Sequence, residues 1–284
     1  MHMNMKNKNM VDERFELAAV IFRLAGRPEY GETVTDYQKN IVETFTKYTN
    51  HKAIEFAREI KIGYDNVFKF SVHIEKKGNE FVFIEDIKSL MGNGWDYENV
   101  EKFLSLFNKF YFETNYAYFF NSHIELFEKD TKIFIDEIYS KIDFEWFKKY
   151  VDISHLRCIY SLSSGNYGAT VNDKIVYCLV WGHGSAIVHE YCHHLASKIV
   201  NKWYNENQEF KILCDESVNI EKMPYYNNGW IMANEYITRA YEILYKVQHG
   251  EELEQCLFRE RNFNYKDSFK YIEKIYDMII KLEK

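Results

Sequence analysis

The stretch "AIVHEYCHHLASKIV", residues 186–200, sets two histidines and a glutamate at a spacing that supports metal chemistry. On a helix, residues i and i+4 lie one turn apart on one face. His189 and His193 therefore project together and can chelate one ion. Zn²⁺ accepts imidazole nitrogen and favours four-coordinate sites. Glu190 stands beside the first ligand without having to bind, where it can take a proton from a water that the ion activates. Ile187, Val188, Leu195, Ile199 and Val200 supply the apolar stripe of the helix. The plain alternative is an amphipathic helix with two partly exposed histidines, but a buried His–His pair beside a carboxylate would then be poorly satisfied. His194 is rotated about 100° around the helix from His193 and belongs off the ligand face. His183, in "WGHGS", is close in sequence; substrate binding and plain loop placement fit it equally.

A catalytic zinc site uses three protein ligands and keeps one position open. No further histidine follows in the HExxHxxGxxH manner, since residues 194–199 read "HLASKI". A glutamate from a later helix is the expected third ligand. Glu216 lies 23 residues after His193 and Glu235 lies 42 after it. Glu235 is preferred, because residues 229–248 read as a well-formed helix able to pack antiparallel to the first, and a rigid helix positions a ligand better than a loop. Arg239, one turn on, can orient Glu235 or reach the oxyanion of a tetrahedral intermediate; an ordinary surface pair is the alternative. Asp215 or Glu216 can instead partner a histidine N–H. Arg239, Tyr226 and Tyr241 all remain open as the oxyanion helper.

The elements that must hold these residues belong to a 284-residue chain, long enough for one large domain or two small ones. Hydrophobic residues make up 46% and charged residues 28%, a globular balance. No apolar run approaches the roughly 20 residues of a membrane-spanning helix, so no membrane partner is expected. The net charge of -7 comes without a basic stripe, which argues against nucleic acid. The five cysteines form no CxxC pair, so reduced thiols in the cytoplasm are expected. The polar start "MHMNMKNKNM" lacks the apolar core of a secretory signal and points to the same compartment, unless a longer precursor exists. The 22 Phe and 23 Tyr suit either a binding surface or, as the preferred reading, a bulky helical core.

Only two prolines occur, which favours helices. Helices are expected over 12–26, 36–49, 51–62, most of 97–150, 186–204, 229–248 and 265–283. Residues 64–84 fit a helix or a hairpin, with a break at "KKGNE". Residues 155–184 are β-branched and Gly/Ser/Asn-punctuated, predicting strands near 156–162, 167–171 and 175–181, with Gly182 and Gly184 allowing a tight exit into the 186–200 helix. The expected class is α+β: a helical N-terminal domain over 1–142, then a catalytic domain over 143–284 with a small mixed sheet on the HExxH helix. A strand feeding the metal helix is the layout of zinc peptidase cores. "SGNYGATV" can form an edge strand that pairs with an extended peptide, which nominates Asn166, Tyr167 and Gly168 as substrate-binding; a plain hairpin fits as well.

"HEYCHH" followed by "NEYITRA" resembles a poorly characterised bacterial family of gluzincin-type metallopeptidases. "ERFELAAVIFRLAG", "FYFETNYAYFF" (110–120), "DFEWFKKYV" and "LSSGNYG" (162–168) look like further segments of that family, so the resemblance spans most of the chain. It implies a zincin-like fold and a zinc hydrolase, with a peptide or protein as the substrate. By motif it implies one Zn²⁺ on His189, His193 and Glu235, with Glu190 as general base. Cys192 and His194 flanking the second ligand depart from the pattern without altering the chelating set. Two other readings compete: a helical binding or scaffold protein whose metal site is structural or vestigial, closed by Cys192 or His183, and a metal-dependent hydrolase of non-peptide amides.

Overall fold

The computed structural model describes residues 10–31, 34–63, 65–84, 87–92, 94–172, 174–181 and 186–283. His183 and the exit glycines Gly182 and Gly184 lie outside them. Helices dominate, joined by small sheets, and the coarse class is α+β. Among the described residues no helix is long and apolar enough to cross a membrane. The chain forms two compact units: residues 1–142 with 154–187, and residues 143–153 with 188–284.

The first unit is organised by α1 (Glu13–Leu24), capped by Asp12, whose Oδ1 accepts the Arg14 N–H at 2.9 Å. Phe15 and every residue from Leu17 to Phe22 are fully buried, so α1 sits at the centre of its unit with Glu16 and Arg23 buried along it. Against it pack α2 (Asp36–Phe45), α3 (Lys52–Glu59) and α4 (Asn66–Val72). The ambiguous 64–84 segment splits: α4 is followed by the hairpin β1 (Ile74–Lys77) and β2 (Glu80–Phe83). Gly78 holds φ +63° in the turn, a left-handed conformation that glycine adopts without steric cost. The N-terminal region is therefore not all helical. Then come α5 (Tyr97–Glu113), α6 (Tyr116–Ser122) and α7 (Ile124–Glu137). The phenylalanines meet inside: Phe70 packs edge-on to Phe103 at 4.7 Å, and Phe45 to Phe119 at 4.8 Å. Much of the aromatic content is core.

After α8 (Phe144–Phe147), which belongs to the second unit, come β3 (Leu156–Ser161), β4 (Tyr167–Val171) and β5 (Ile175–Trp181). Their order is β3-β5-β4, with β3 parallel and β4 antiparallel to β5, so the sheet is mixed and β4 is an edge strand. These strands do not group with the metal-helix region, as a boundary at 142 had them. The reason is a buried polar junction. Glu16 of α1, fully buried, accepts from Ser161 Oγ (3.0 Å), the Leu162 N–H (3.1 Å) and Ser163 Oγ. Gln38 Nε2 donates to the Leu162 and Ser163 carbonyls, and Arg23 donates to the latter. These bonds fasten the end of β3 to α1 and α2. Of the residues nominated for substrate, Asn166 is engaged within this unit, its Oδ1 accepting the Trp181 N–H at 3.1 Å. Tyr167 and Gly168 pair with Leu179 and Cys178 of β5.

The second unit carries α9 (Ala186–Glu206, its first two residues counted with the first unit), α10 (Gln208–Asp215), α11 (Gly229–Gln248), α12 (Leu253–Arg261) and α13 (Ile272–Leu282). The long α11 is buried almost throughout and packs on α10, α12 and α13. Its N-terminus is capped by Asn228, and Gly229 leaves room for Asp215, whose Oδ1 a Cβ would meet at 1.7 Å and displace. The expected 265–283 helix begins only at Ile272, because the preceding chain turns at Asp267 with φ +60°.

Glu16 generates a stability prediction. Burial raises its pKa against the lowering pull of the Ser163, Leu162 and Ser161 hydrogen bonds. A raised folded-state value means this group's stabilising contribution is full in acid and is lost as pH climbs from about 4 through the raised value. Glu16→Gln should therefore gain stability relative to wild type as pH rises across that window. Glu16→Ala, which orphans three buried donors, should cost about 3 kcal/mol or more. Urea unfolding between pH 4 and 8 measures both.

Candidate metal centre

Two helices of the second unit build the site. His189 meets Glu242, His193 meets Thr238, and Asn201 meets Trp230, so partners descend α11 as they climb α9. The two helices are antiparallel at the site. Each histidine is anchored through Nδ1. His189 Nδ1 is 2.8 Å from Glu242 Oε2. His193 Nδ1 is 2.8 Å from Asn234 Oδ1 and 3.0 Å from the Thr238 hydroxyl. A carboxylate or amide oxygen accepts from N–H, so each ring is oriented by its Nδ1 and turns Nε2 toward α11.

Both Nε2 atoms face Glu235, at 3.2 Å from Oε1 for His193 and 3.9 Å from Oε2 for His189. One donor atom from each of the three residues lies within 4.8 Å of the others. Donors bound tetrahedrally to one zinc at about 2.0–2.1 Å would stand about 3.3 Å apart, a spacing that the observed separations bracket. Glu235 Oε2 is buried and makes no hydrogen bond, its one close cation being the Arg239 guanidinium at 3.4 Å, so it retains capacity for a further cation. The residues therefore fit a small divalent ion. Burial opposes charge on Glu235, but His193, Arg239 and His189 hold its carboxyl far below the ordinary range. Burial also opposes charge on His193, yet Glu235 outweighs it and lifts the pKa to about 9.

Glu190 is 8% exposed, and among the described residues no hydrogen bond or ion pair holds its carboxylate. Burial raises its pKa, opposed by the two histidines and reinforced by Glu235 and Glu242. His194 is off the chelating set; burial, with Lys198 nearby, lowers its pKa to about 4. Cys192 is fully buried and is not among the grouped donors. Glu216 is turned elsewhere, accepting from the Tyr271 hydroxyl at 2.6 Å, and Asp215 is bound by Tyr204 and Lys211. Neither is the partner of His189 or His193; Glu242 and Asn234 are.

Arg239 is 2% exposed, and its two terminal nitrogens face carboxylates while Nε is buried without a hydrogen bond. It donates to Glu260 Oε2 at 2.6 Å, approaches Glu235 Oε2 at 3.4 Å, and lies between the rings of Phe263 (3.9 Å) and Phe269 (4.3 Å). Of its two expected roles, the one this geometry bears on is orienting Glu235. Tyr241 is committed to Glu283 at 3.0 Å. The half-buried phenol of Tyr226 instead feels the charges of Glu235, Arg239 and Glu190; burial first, then Glu235, lifts its pKa to about 12.

Glu242, Asn234, Thr238 and Glu260 escaped the sequence reading. One signal was available: Glu235, Arg239, Glu242 and Lys246 repeat at helical spacing along an otherwise apolar helix, a charged stripe that burial would have to pair. No protein-family model, curated protein or solved structure matches the chain.

The geometry predicts one zinc bound per chain. His189→Ala, His193→Ala and Glu235→Ala should each lower affinity by two orders of magnitude or more, whereas Glu216→Ala should bind like wild type. Chelator competition on the metal-stripped protein decides; normal binding by Glu235→Ala would remove it from the ligand set.

Proposed function

We propose that the chain is a zinc-dependent hydrolase, most simply a metallopeptidase with a gluzincin-type ligand set on a zincin-like core. One observation carries the reading: two histidines fixed through Nδ1 and a buried glutamate converge as an open three-donor set, with a second, unpartnered carboxylate beside them. A structural zinc site is normally closed by four protein ligands. Among the described residues the set has three, and Cys192 does not join it.

His189, His193 and Glu235 would hold the ion, which when bound supplies Lewis acidity and makes a water acidic enough to react near neutral pH. Glu190 takes the proton of the attacking water and returns it to the leaving amine. Among the described residues no hydrogen bond or ion pair commits its carboxylate elsewhere. Tyr226, whose phenol feels the charges of Glu235 and Glu190, would donate a hydrogen bond to the developing oxyanion, a role worth about 10²–10³ in rate when a donor of this kind is removed. Arg239 holds Glu235 in place. The substrate class read from the sequence is a peptide or protein.

Cleavage of a peptide library by the zinc-loaded protein tests the reading. Glu190→Gln should abolish cleavage while retaining zinc; full activity in that variant would refute the mechanism. Tyr226→Phe should lower kcat by about 10²–10³ with zinc affinity unchanged. Activity confined to non-peptide amides would keep the chemistry and change the substrate.

A further inference from the structure

The charged side chains behind the metal centre form a closed circuit, and one residue far from the motif closes it. From the third ligand, Glu235 Oε2 meets Arg239 Nη2 at 3.4 Å, and Arg239 Nη1 donates to Glu260 Oε2 at 2.6 Å. From the first ligand, His189 Nδ1 meets Glu242 Oε2 at 2.8 Å, and Glu242 Oε1 meets Lys246 Nζ at 2.6 Å. Lys246 Nζ then reaches Glu260 Oε1 at 3.5 Å. Glu260 thus gives one oxygen to each arm. It sits on α12, a helix that supplies no ligand, and is 5% exposed.

We infer that Glu260 is a positioning residue for the metal centre, setting both the carboxylate of Glu235 and the ring of His189 through Arg239 and Lys246. The inference rests on the zinc reading above. Its physical basis is the cost of a buried unpaired charge. Without Glu260, Arg239 keeps only its longer contact to Glu235 and would draw that carboxylate off the chelating direction. Lys246, released from one side, would leave Glu242 freer to rotate and His189 with it. A carboxylate is needed because both oxygens must accept. Glutamine offers one oxygen and one NH₂, so its amide can satisfy Arg239 only by turning N–H groups toward the Lys246 ammonium.

The experiment uses the full chain, stripped of metal, with Zn²⁺ affinity from chelator competition and ligand geometry from the Co²⁺ absorption spectrum. Glu260→Gln should lower Zn²⁺ affinity about 10–100-fold and shift the Co²⁺ bands, with circular dichroism unchanged. Glu283→Gln is the control. That carboxylate also bridges two side chains of the same unit, Tyr150 and Tyr241, away from the ligands, and its loss should leave affinity and spectrum as in wild type. Should Glu260→Gln fail to fold, Lys246→Met cuts one arm at a partly exposed site and should lower affinity about tenfold. Wild-type affinity and spectrum in the folded variant would overturn the inference, while loss of zinc in His189→Ala would keep the metal reading intact. If wild type itself binds no zinc, both fall together.

Discussion

Two imidazoles hold their Nε2 atoms toward one point when their other nitrogens are anchored elsewhere, and α9 and α11 are arranged in that way. A histidine on a helix can rotate about two torsions, and an unanchored ring would present either nitrogen. Here α11 runs antiparallel to α9 and offers Glu242 to one ring and Asn234 with Thr238 to the other. The same helix face then carries Glu235 toward both Nε2 atoms. One helix thus supplies both the third donor and the groups that orient the first two. This explains why α11 is buried almost throughout, despite four charged side chains at helical spacing. It also explains the exacting start of that helix, where Gly229 lets Asp215 approach and Asn228 caps the first turn.

Part of this was legible in the sequence because part of it is local. His189 and His193 are neighbours by helical geometry alone, so their juxtaposition needs no knowledge of the fold. Glu235 was reachable because its helix is long and strongly periodic. The partners of the Nδ1 atoms were not. A hydrogen bond between α9 and α11 leaves no local pattern, and the register that chooses Glu242 over its neighbours is decided by packing. Glu260 was hidden more deeply, since its helix reads "LEQCLFRER", with scattered charges and weak amphipathic periodicity. Arg239 illustrates the same limit: its spacing from Glu235 is local, but the aromatic rings of Phe263 and Phe269 that immobilise it are not.

The division of the chain shows a different failure. A change of texture after residue 142, from aromatic helices to β-branched strands, is a statement about local conformation. What a segment packs against is a separate question, answered here by Glu16. A lone carboxylate in "RFELAAVIFRL" must find donors once α1 is buried, and the donors are Ser161, Leu162 and Ser163 at the end of β3. The strands were placed correctly along the chain, and only their allegiance was hidden. The isolated Glu16 was the available signal that the first helix needed a polar partner from outside the helical region.

Charge balance connects the site to its backing. Glu190, Glu235, Glu242 and Glu260 are four carboxylates, each less than a tenth exposed. Among the described residues Arg239 and Lys246 are the permanent cations that touch Glu235, Glu242 and Glu260, and neither touches Glu190. Two negative charges therefore stay uncompensated in a region of reduced dielectric, where isolated charges are costly. The protein's own groups respond to that deficit: burial disfavours charge on His193, yet its pKa rises to about 9, and the Glu190 carboxyl holds its proton more tightly than usual. Bound protons can meet the deficit only by occupying the lone pair of a would-be ligand or the carboxylate of a would-be base. A divalent cation would meet it at the point where the two Nε2 atoms and Glu235 converge. The proposed ion and the ionic backing would then form one electrostatic unit, since Arg239, Glu260 and Lys246 already link Glu235 to Glu242.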